Sequence, residues 1–129
     1  MTVVGPEHGA CIMLVEDHQE IRDLLVMALH RARFHLIAPD TPTAAIDIIA
    51  DLSVPVDLLL TDIVMPEMNG VELAERAVGL RLRLRVGLMS GYAERALDQA
   101  FLDRTGWHFI AKPFDLTDFV GFARMCLGV

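Results

Sequence analysis

Lysine is nearly missing from this chain: Lys112 stands alone among eleven basic residues, so arginine carries almost all the positive charge. There is no basic excess either. Eighteen Asp and Glu oppose the 11 Lys and Arg, for a formal charge of −7, the wrong sign for gripping a phosphate backbone with the domain as a whole. Direct nucleic-acid binding is therefore disfavoured. Cysteine is scarce, and Cys11 and Cys126 lie in separate apolar segments without CxxC spacing, which reads as two buried free thiols and not a metal site. Long apolar runs are also lacking. Ile12 to Val15 and Leu58 to Leu60 fall far below the roughly 20 residues that span a bilayer, so no membrane partner is expected. Met1 to Gly9 has no basic stretch and carries Pro6, Glu7 and His8, unlike a signal peptide. A cytoplasmic location is the expectation.

What is there is a chain of 129 residues with 53% hydrophobic residues, enough for one core in one domain. Short apolar runs at Cys11 to Val15, His35 to Ala38, Leu58 to Thr61, Val86 to Met89 and Phe109 to Ala111 read as five strands. Between them lie segments of helical period. Ile21, Leu24, Leu25, Ala28 and Leu29 make one stripe, and Ala45, Ile48, Ile49 and Leu52 another. Asn69 and Gly70 open a third helix, Leu97, Ala100 and Phe101 mark a fourth ending near Gly106, and Leu116, Phe119, Val120, Ala123 and Leu127 form a fifth stripe capped by Asp115. Strand and helix in alternation imply an α/β fold, a doubly wound parallel sheet with helices on both faces. Leu80 to Arg85 alternates Leu with Arg, as a solvated arginine face or an extension of the fourth strand. An acidic partner surface is the sharper alternative.

In an open parallel sheet, functional groups gather outside the carboxyl ends of the strands. That rule collects Glu16 and Asp17 after the first strand, Asp62 after the third, Ser90 after the fourth and Lys112 after the fifth. Three carboxylates crowded together repel one another and raise a pKa unless a cation intervenes. An oxygen-only donor set suits Mg²⁺ better than a soft metal. Taken singly each residue has a duller reading: Asp17 as a helix cap, Ser90 before Gly91 as a turn, Lys112 before Pro113 as a loop, and His18 as an exposed helix-start histidine. Their joint placement carries the weight.

The chain resembles the receiver domains of two-component response regulators. The resemblance rests on Leu14-Val15-Glu16-Asp17, on Leu58 to Gly70 around Asp62, on Met89-Ser90-Gly91-Tyr92-Ala93 and on Ala111-Lys112-Pro113-Phe114, in that order over residues 10 to 127. It implies the flavodoxin-like strand order 2-1-3-4-5, with residues 10–129 as the receiver domain after an N-terminal extension, 1–9. It further implies that Asp62 takes a phosphoryl group from a histidine kinase or phosphotransfer protein. Asp17, Asp62, the main-chain carbonyl of Val64 and, directly or through water, Glu16 would hold Mg²⁺. Lys112 would pair with Asp62 and then with the phosphoryl group. Ser90 and Phe109 would form the inward-turning switch, read by a downstream protein target, with the fourth helix, fifth strand and fifth helix as the changing surface and as the face of a homodimer. The chain would then catalyse its own aspartyl phosphorylation and dephosphorylation while serving mainly as a signalling device. A cis Lys112–Pro113 bond is expected with it.

Three departures stand out. Glu16 occupies a place where many members have Asp, Ser90 replaces the commoner Thr, and Phe109 lacks a hydroxyl, so it would turn inward by packing alone. Phe109 as an ordinary core aromatic is the plain alternative. The chain is read as a stand-alone receiver, with the terminal receiver of a hybrid histidine kinase as the alternative suggested by Ser90 to Glu94. A receiver-like interaction module that is not phosphorylated is a third reading, opposed by the complete site. A flavodoxin would need a Ser/Thr/Gly-rich phosphate loop where Glu16 to Glu20 stand, and a dehalogenase-type phosphatase would need DxD after the first strand.

Overall fold

A computed structural model describes residues 9–91 and 98–129. Cys11–Val15 forms β1, His35–Ile37 β2, Leu58–Asp62 β3, Arg85–Ser90 β4 and His108–Ala111 β5. All pair in parallel, in the order β2-β1-β3-β4-β5. The helices are α1 (Gln19–Arg31), α2 (Pro42–Ala50), α3 (Gly70–Leu80), α4 (Gln99–Thr105) and α5 (Leu116–Leu127). The doubly wound architecture and its strand order are those anticipated.

Strand alternation sorts the core into two layers, because successive side chains point to opposite faces. Met13, Val15, Leu59, Val86 and Leu88 face one layer with Ala45 and Ile49 of α2 and Leu73, Ala74 and Ala77 of α3. Ile12, Leu14, Leu58, Leu60 and Met89 face the other, against Leu25 and Leu29 of α1 and Phe119, Phe122, Ala123 and Cys126 of α5. β1 and β3 are buried along their whole length. Both central strands therefore hold their terminal residues on a rigid base.

Helix starts follow cap chemistry. Thr41, Asn69, Asp98 and Asp115 each accept a bond from the amide three residues on, namely Ala44, Glu72, Phe101 and Asp118, satisfying donors that a first turn leaves open. α1 is the exception. Its cap position is His18, with no side-chain bond, so Asp17 is not the cap its position suggested.

Several boundaries and stripes differ from the periodic reading. β3 runs on to Asp62, and β4 spans Arg85 to Ser90, because polar residues share the ladder that an apolar count ignores. β2 stops at Ile37. Leu52 lies beyond the end of α2 and is 74% exposed. On α5 the buried stripe is rotated to include Phe122 and Cys126, while Leu116 is exposed. Of the arginine-rich segment only Arg85 joins the fourth strand, and the remainder is not a purely solvated face. Arg81 binds the carbonyls of Ile49 (3.0 Å) and Asp51 (2.8 Å) at the end of α2. Arg85 starts β4 and donates to the Cys126 carbonyl (3.3 Å). Leu97 of the anticipated fourth stripe, with Tyr92 and Ala93, lies outside the described residues, as do residues 1–8 of the anticipated extension.

Both cysteines are buried and free. Burial raises the Cys11 thiol and pushes Cys126 up to about 12 against the nearby Arg85 charge, which keeps both in the less reactive thiol form at neutral pH. Among the described residues no helix is long and apolar enough to cross a membrane.

Candidate functional site

The parallel register brings the anticipated side chains to one end of the sheet. Val15 pairs with Thr61, Asp62 with Met89, and Ser90 with Ala111, so the residues at or just beyond these strand ends share one rim. Asp62 is 7% exposed, Glu16 1% and Ser90 2%. Asp17 is exposed at the mouth.

Glu16, Asp17 and Asp62 each offer one carboxylate oxygen within 4.8 Å of the others. The ammonium of Lys112 enters this group from β5, with Nζ 2.7 Å from Oε1 of Glu16 and 3.2 Å from Oδ2 of Asp62. The anticipated Lys112–Asp62 pair is present, yet it is the longer of the two. The second oxygen of Glu16, Oε2, accepts the main-chain N–H of His18 at 3.1 Å. His18 thus contributes its backbone to the site.

Charge explains the protonation behaviour. Burial pushes Asp62 up to about 6; Lys112 pulls it back, and the carboxylates of Glu16 and Asp17 add to the rise. Lys112 itself is raised: burial works against its ammonium, but the bond to Glu16 and the charge of Asp62 outweigh it. Three acids against one lysine leave a net negative pocket made only of oxygen donors. Such a donor set fits a hard divalent cation such as Mg²⁺, as anticipated.

Two further residues shape the rim: Arg22, which the sequence did not single out, and Gly70, which it marked only as a helix start. Arg22 on α1 donates to the main-chain carbonyl of Glu16 at 3.2 Å and lies 3.7 Å from Asp40. Only its place one residue after Ile21 of the apolar stripe hinted at an inward aim. Gly70 donates its N–H to the Ile63 carbonyl at 2.8 Å. A Cβ built there would lie 2.1 Å from the carbonyl oxygen of Asp62, so a glycine is required for α3 to close against the end of β3.

Phe109 pairs in register with Leu88 and is partly buried against the layer that contains α2 and α3. Lys112 N–H donates to the Ser90 carbonyl at 3.1 Å, which ties the lysine loop to the hydroxyl-bearing strand end. The Lys112–Pro113 peptide is cis, as expected. Val64, whose carbonyl was anticipated as a ligand, sits on the exposed loop after β3.

A five-stranded parallel sheet in this order, with an acidic trio and one lysine at its carboxyl end, defines a class of signalling domain. The model of the response regulator receiver domain matches residues 12–124, and the chain belongs to that family. It is 38% identical to the response regulator receiver protein CpdR of Brucella abortus, over 84% of this chain and 89% of that one. It is 31% identical to the sensor kinase CckA of the same organism, over 84% of this chain but 11% of the kinase. Among solved structures, a CheY-like receiver domain protein from Methanospirillum hungatei superposes with a TM-score of 0.81 at 26% identity, covering 93% of this chain and 94% of that one. The receiver domain of the hybrid histidine kinase CckA superposes at 0.77 and 24% identity, over 92% and 99%, a likeness of fold.

Proposed function

We propose that residues 10–129 form a receiver domain in which Asp62 accepts a phosphoryl group from a histidine kinase or histidine phosphotransfer protein. One observation carries the reading: a buried carboxylate at the end of β3 lies 3.2 Å from the chain's single lysine and within 4.8 Å of two further acids. Phosphoryl transfer asks a protein mainly for positioning and charge neutralisation, and this group supplies a nucleophile and an ammonium. Burial pushes the Asp62 carboxyl up to about 6, so near pH 7.5 it is mostly ionised and needs no general base.

One carboxylate oxygen of Asp62 attacks phosphorus as the bond from phosphorus to the donor histidine nitrogen breaks, and that nitrogen keeps the electron pair. Lys112 neutralises charge on the transferred group as a compact cation on a flexible stem. Asp17, Asp62, the Val64 carbonyl and Glu16 are the groups that would hold Mg²⁺, which when bound supplies neutralisation of the phosphoryl oxygens. Ser90 lies beside Lys112 at the next strand end, where its hydroxyl can donate to the phosphoryl group. Phe109 on the adjoining strand would follow it inward, changing the face of α4, β5 and α5 that a downstream protein or a second copy meets.

The likeness to CckA supports a second reading, the receiver of a hybrid histidine kinase. It shares the same chemistry at Asp62. The test is exposure to acetyl phosphate with Mg²⁺ followed by intact mass. Wild type should gain one phosphoryl group and Asp62→Asn none; equal gain by both would overturn the assignment.

A further inference from the structure

Exposed turns are ordinarily built from Gly, Pro, Asn, Asp and Ser, yet the connection from α3 to β4 is made with Leu82 and Arg83. Leu84 donates its N–H to the Arg81 carbonyl at 3.0 Å, which closes the turn and leaves these two residues at its tip. Leu82 is 90% exposed. Arg83 is exposed too and, among the described residues, makes no hydrogen bond or ion pair. Both ends of the turn are tied down: Arg81 holds the Ile49 and Asp51 carbonyls, and Arg85 holds that of Cys126. The tip is displayed on a fixed base, and neither of its side chains is spent on the core.

The turn stands between two clefts at the amino end of the sheet, where Arg85 pairs with Leu58 at the start of β3 and Asp62 lies at the other end of that strand. On one side Arg81, Arg83 and Arg85 line a single cleft, in which Asp57 is the acidic side chain among the described residues. Asp57 already accepts the Cys11 N–H at 2.8 Å. Three guanidinium groups against one carboxylate leave a positive surface on a chain of formal charge −7. On the other side Val78, Leu82, Trp107 and Met125 line a cleft of about 530 Å³, within the roughly 300–1,000 Å³ of ligand-binding pockets. Arg85 borders both clefts.

We propose that this pole docks an extended segment of a partner protein in which acidic and apolar residues alternate. Successive side chains of an extended chain point to opposite sides, so a segment laid across the turn sends its carboxylates to the arginine cleft and its apolar side chains onto Leu82, Met125 and Trp107. Charge complementarity selects this occupant. Arg83 offers a fork of N–H donors that matches a carboxylate, and a peptide meets the patch alone, whereas an anionic membrane or a polynucleotide faces the repulsion of the whole acidic chain.

The test titrates the full chain, at low salt, with a blocked hexapeptide of alternating glutamate and leucine. Trp107, the single tryptophan, is followed by fluorescence, and Leu82 to Val86 by their amide shifts. Both signals should saturate together. Arg83→Glu should weaken binding about tenfold, because it exchanges a surface ion pair for a repulsion of like size, and Leu82→Ser about fivefold. Both replaced side chains are exposed, so the variants keep the fold, and Asp62→Asn should bind as wild type does. Absence of saturable binding to wild type would overturn the proposal, as would binding that survives both substitutions or shifts confined to the carboxyl end of the sheet. Loss of binding in Asp62→Asn would overturn the placement at this pole. Sedimentation of the chain with vesicles of phosphatidylglycerol and phosphatidylcholine, or self-association abolished by Arg83→Glu, would give the surface to a membrane or to a second copy and overturn it equally.

Discussion

Replacing Asp62 with Asn should stabilise the metal-free protein at neutral pH, and the gain should shrink in acid. The carboxyl is pushed up to about 6 from an ordinary 3.8, so between these values the folded protein binds a proton that the unfolded chain has lost. Stability consequently falls as pH rises through this window, and the contribution of this one carboxyl is gone above about pH 6. A displacement from 3.8 to about 6 corresponds to at most about 3 kcal/mol at roughly 1.4 kcal/mol per pKa unit. Solvent at the mouth, where Asp17 is exposed, screens part of this and leaves about 1–2 kcal/mol. Asn matches the neutral carboxyl in size and lacks the charge that the site penalises. Urea denaturation in EDTA at pH 7.5 and pH 5.0 measures the difference, and linkage leaves about half of the gain at the lower pH. Adding Mg²⁺ should stabilise wild type more than the variant, narrowing the gap. An Asn variant no more stable than wild type at pH 7.5, or a gap equal at the two pH values, would refute the reasoning.

Three other substitutions probe separate parts of the structure. Gly70→Ala places a methyl 2.1 Å from the Asp62 carbonyl oxygen, and the forced backbone shift should cost about 1–3 kcal/mol in urea denaturation and slow phosphorylation by acetyl phosphate. Ser90→Ala should still accept phosphate at Asp62 but lose most of the amide shifts that beryllofluoride produces along β5; shifts equal to wild type would show that the response bypasses this hydroxyl. Arg81→Ala removes two bonds, to the Ile49 carbonyl in the last turn of α2 and to the Asp51 carbonyl just beyond it, so it should lower stability by about 1–2 kcal/mol while leaving the rate of phosphorylation unchanged.

What the sequence made legible follows from local physics. Strands buried on both faces read as short apolar runs, so β1 was placed to the residue, and Asn69, Asp115 and Gly106 marked helix ends through cap chemistry and a left-handed terminus. The rule that function collects at carboxyl strand ends brought Glu16, Asp17, Asp62, Ser90 and Lys112 together before any coordinates. What stayed hidden depends on reach across the fold. The preference of Lys112 for Glu16 over Asp62 turns on a half-ångström difference between residues 96 positions apart. Likewise, Arg81 finds its carbonyls some 30 residues back along the chain, and no periodic pattern encodes a side chain bonding backbone at that distance. The closeness of Gly70 to Asp62 is equally non-local in effect: a helix-opening glycine looks the same whether or not another carbonyl fills the space of its missing Cβ.

The two halves of the sheet are held unequally, and that asymmetry suits the proposed chemistry. Glu16 and Asp62 extend from β1 and β3, which are buried throughout and covered by α1, α2, α3 and α5, each with at least two buried residues. A nucleophile needs such a base, because small misplacements are costly in a transfer that depends on alignment. α4 buries none of its residues and makes its ring contact through Phe101, edge-on to Trp107 at 5.6 Å. Few buried contacts mean a low local opening free energy, so in the proposed switch this is the side of the sheet that a modest difference in bonding at Ser90 would displace. A uniformly tight domain would accept the phosphoryl group and transmit nothing, while a uniformly loose one would not hold three carboxylates within reach of one another. The repulsion concentrated at Asp62 can be borne by the rigid half, and under the proposed function the response to its relief would fall to the half with least to lose.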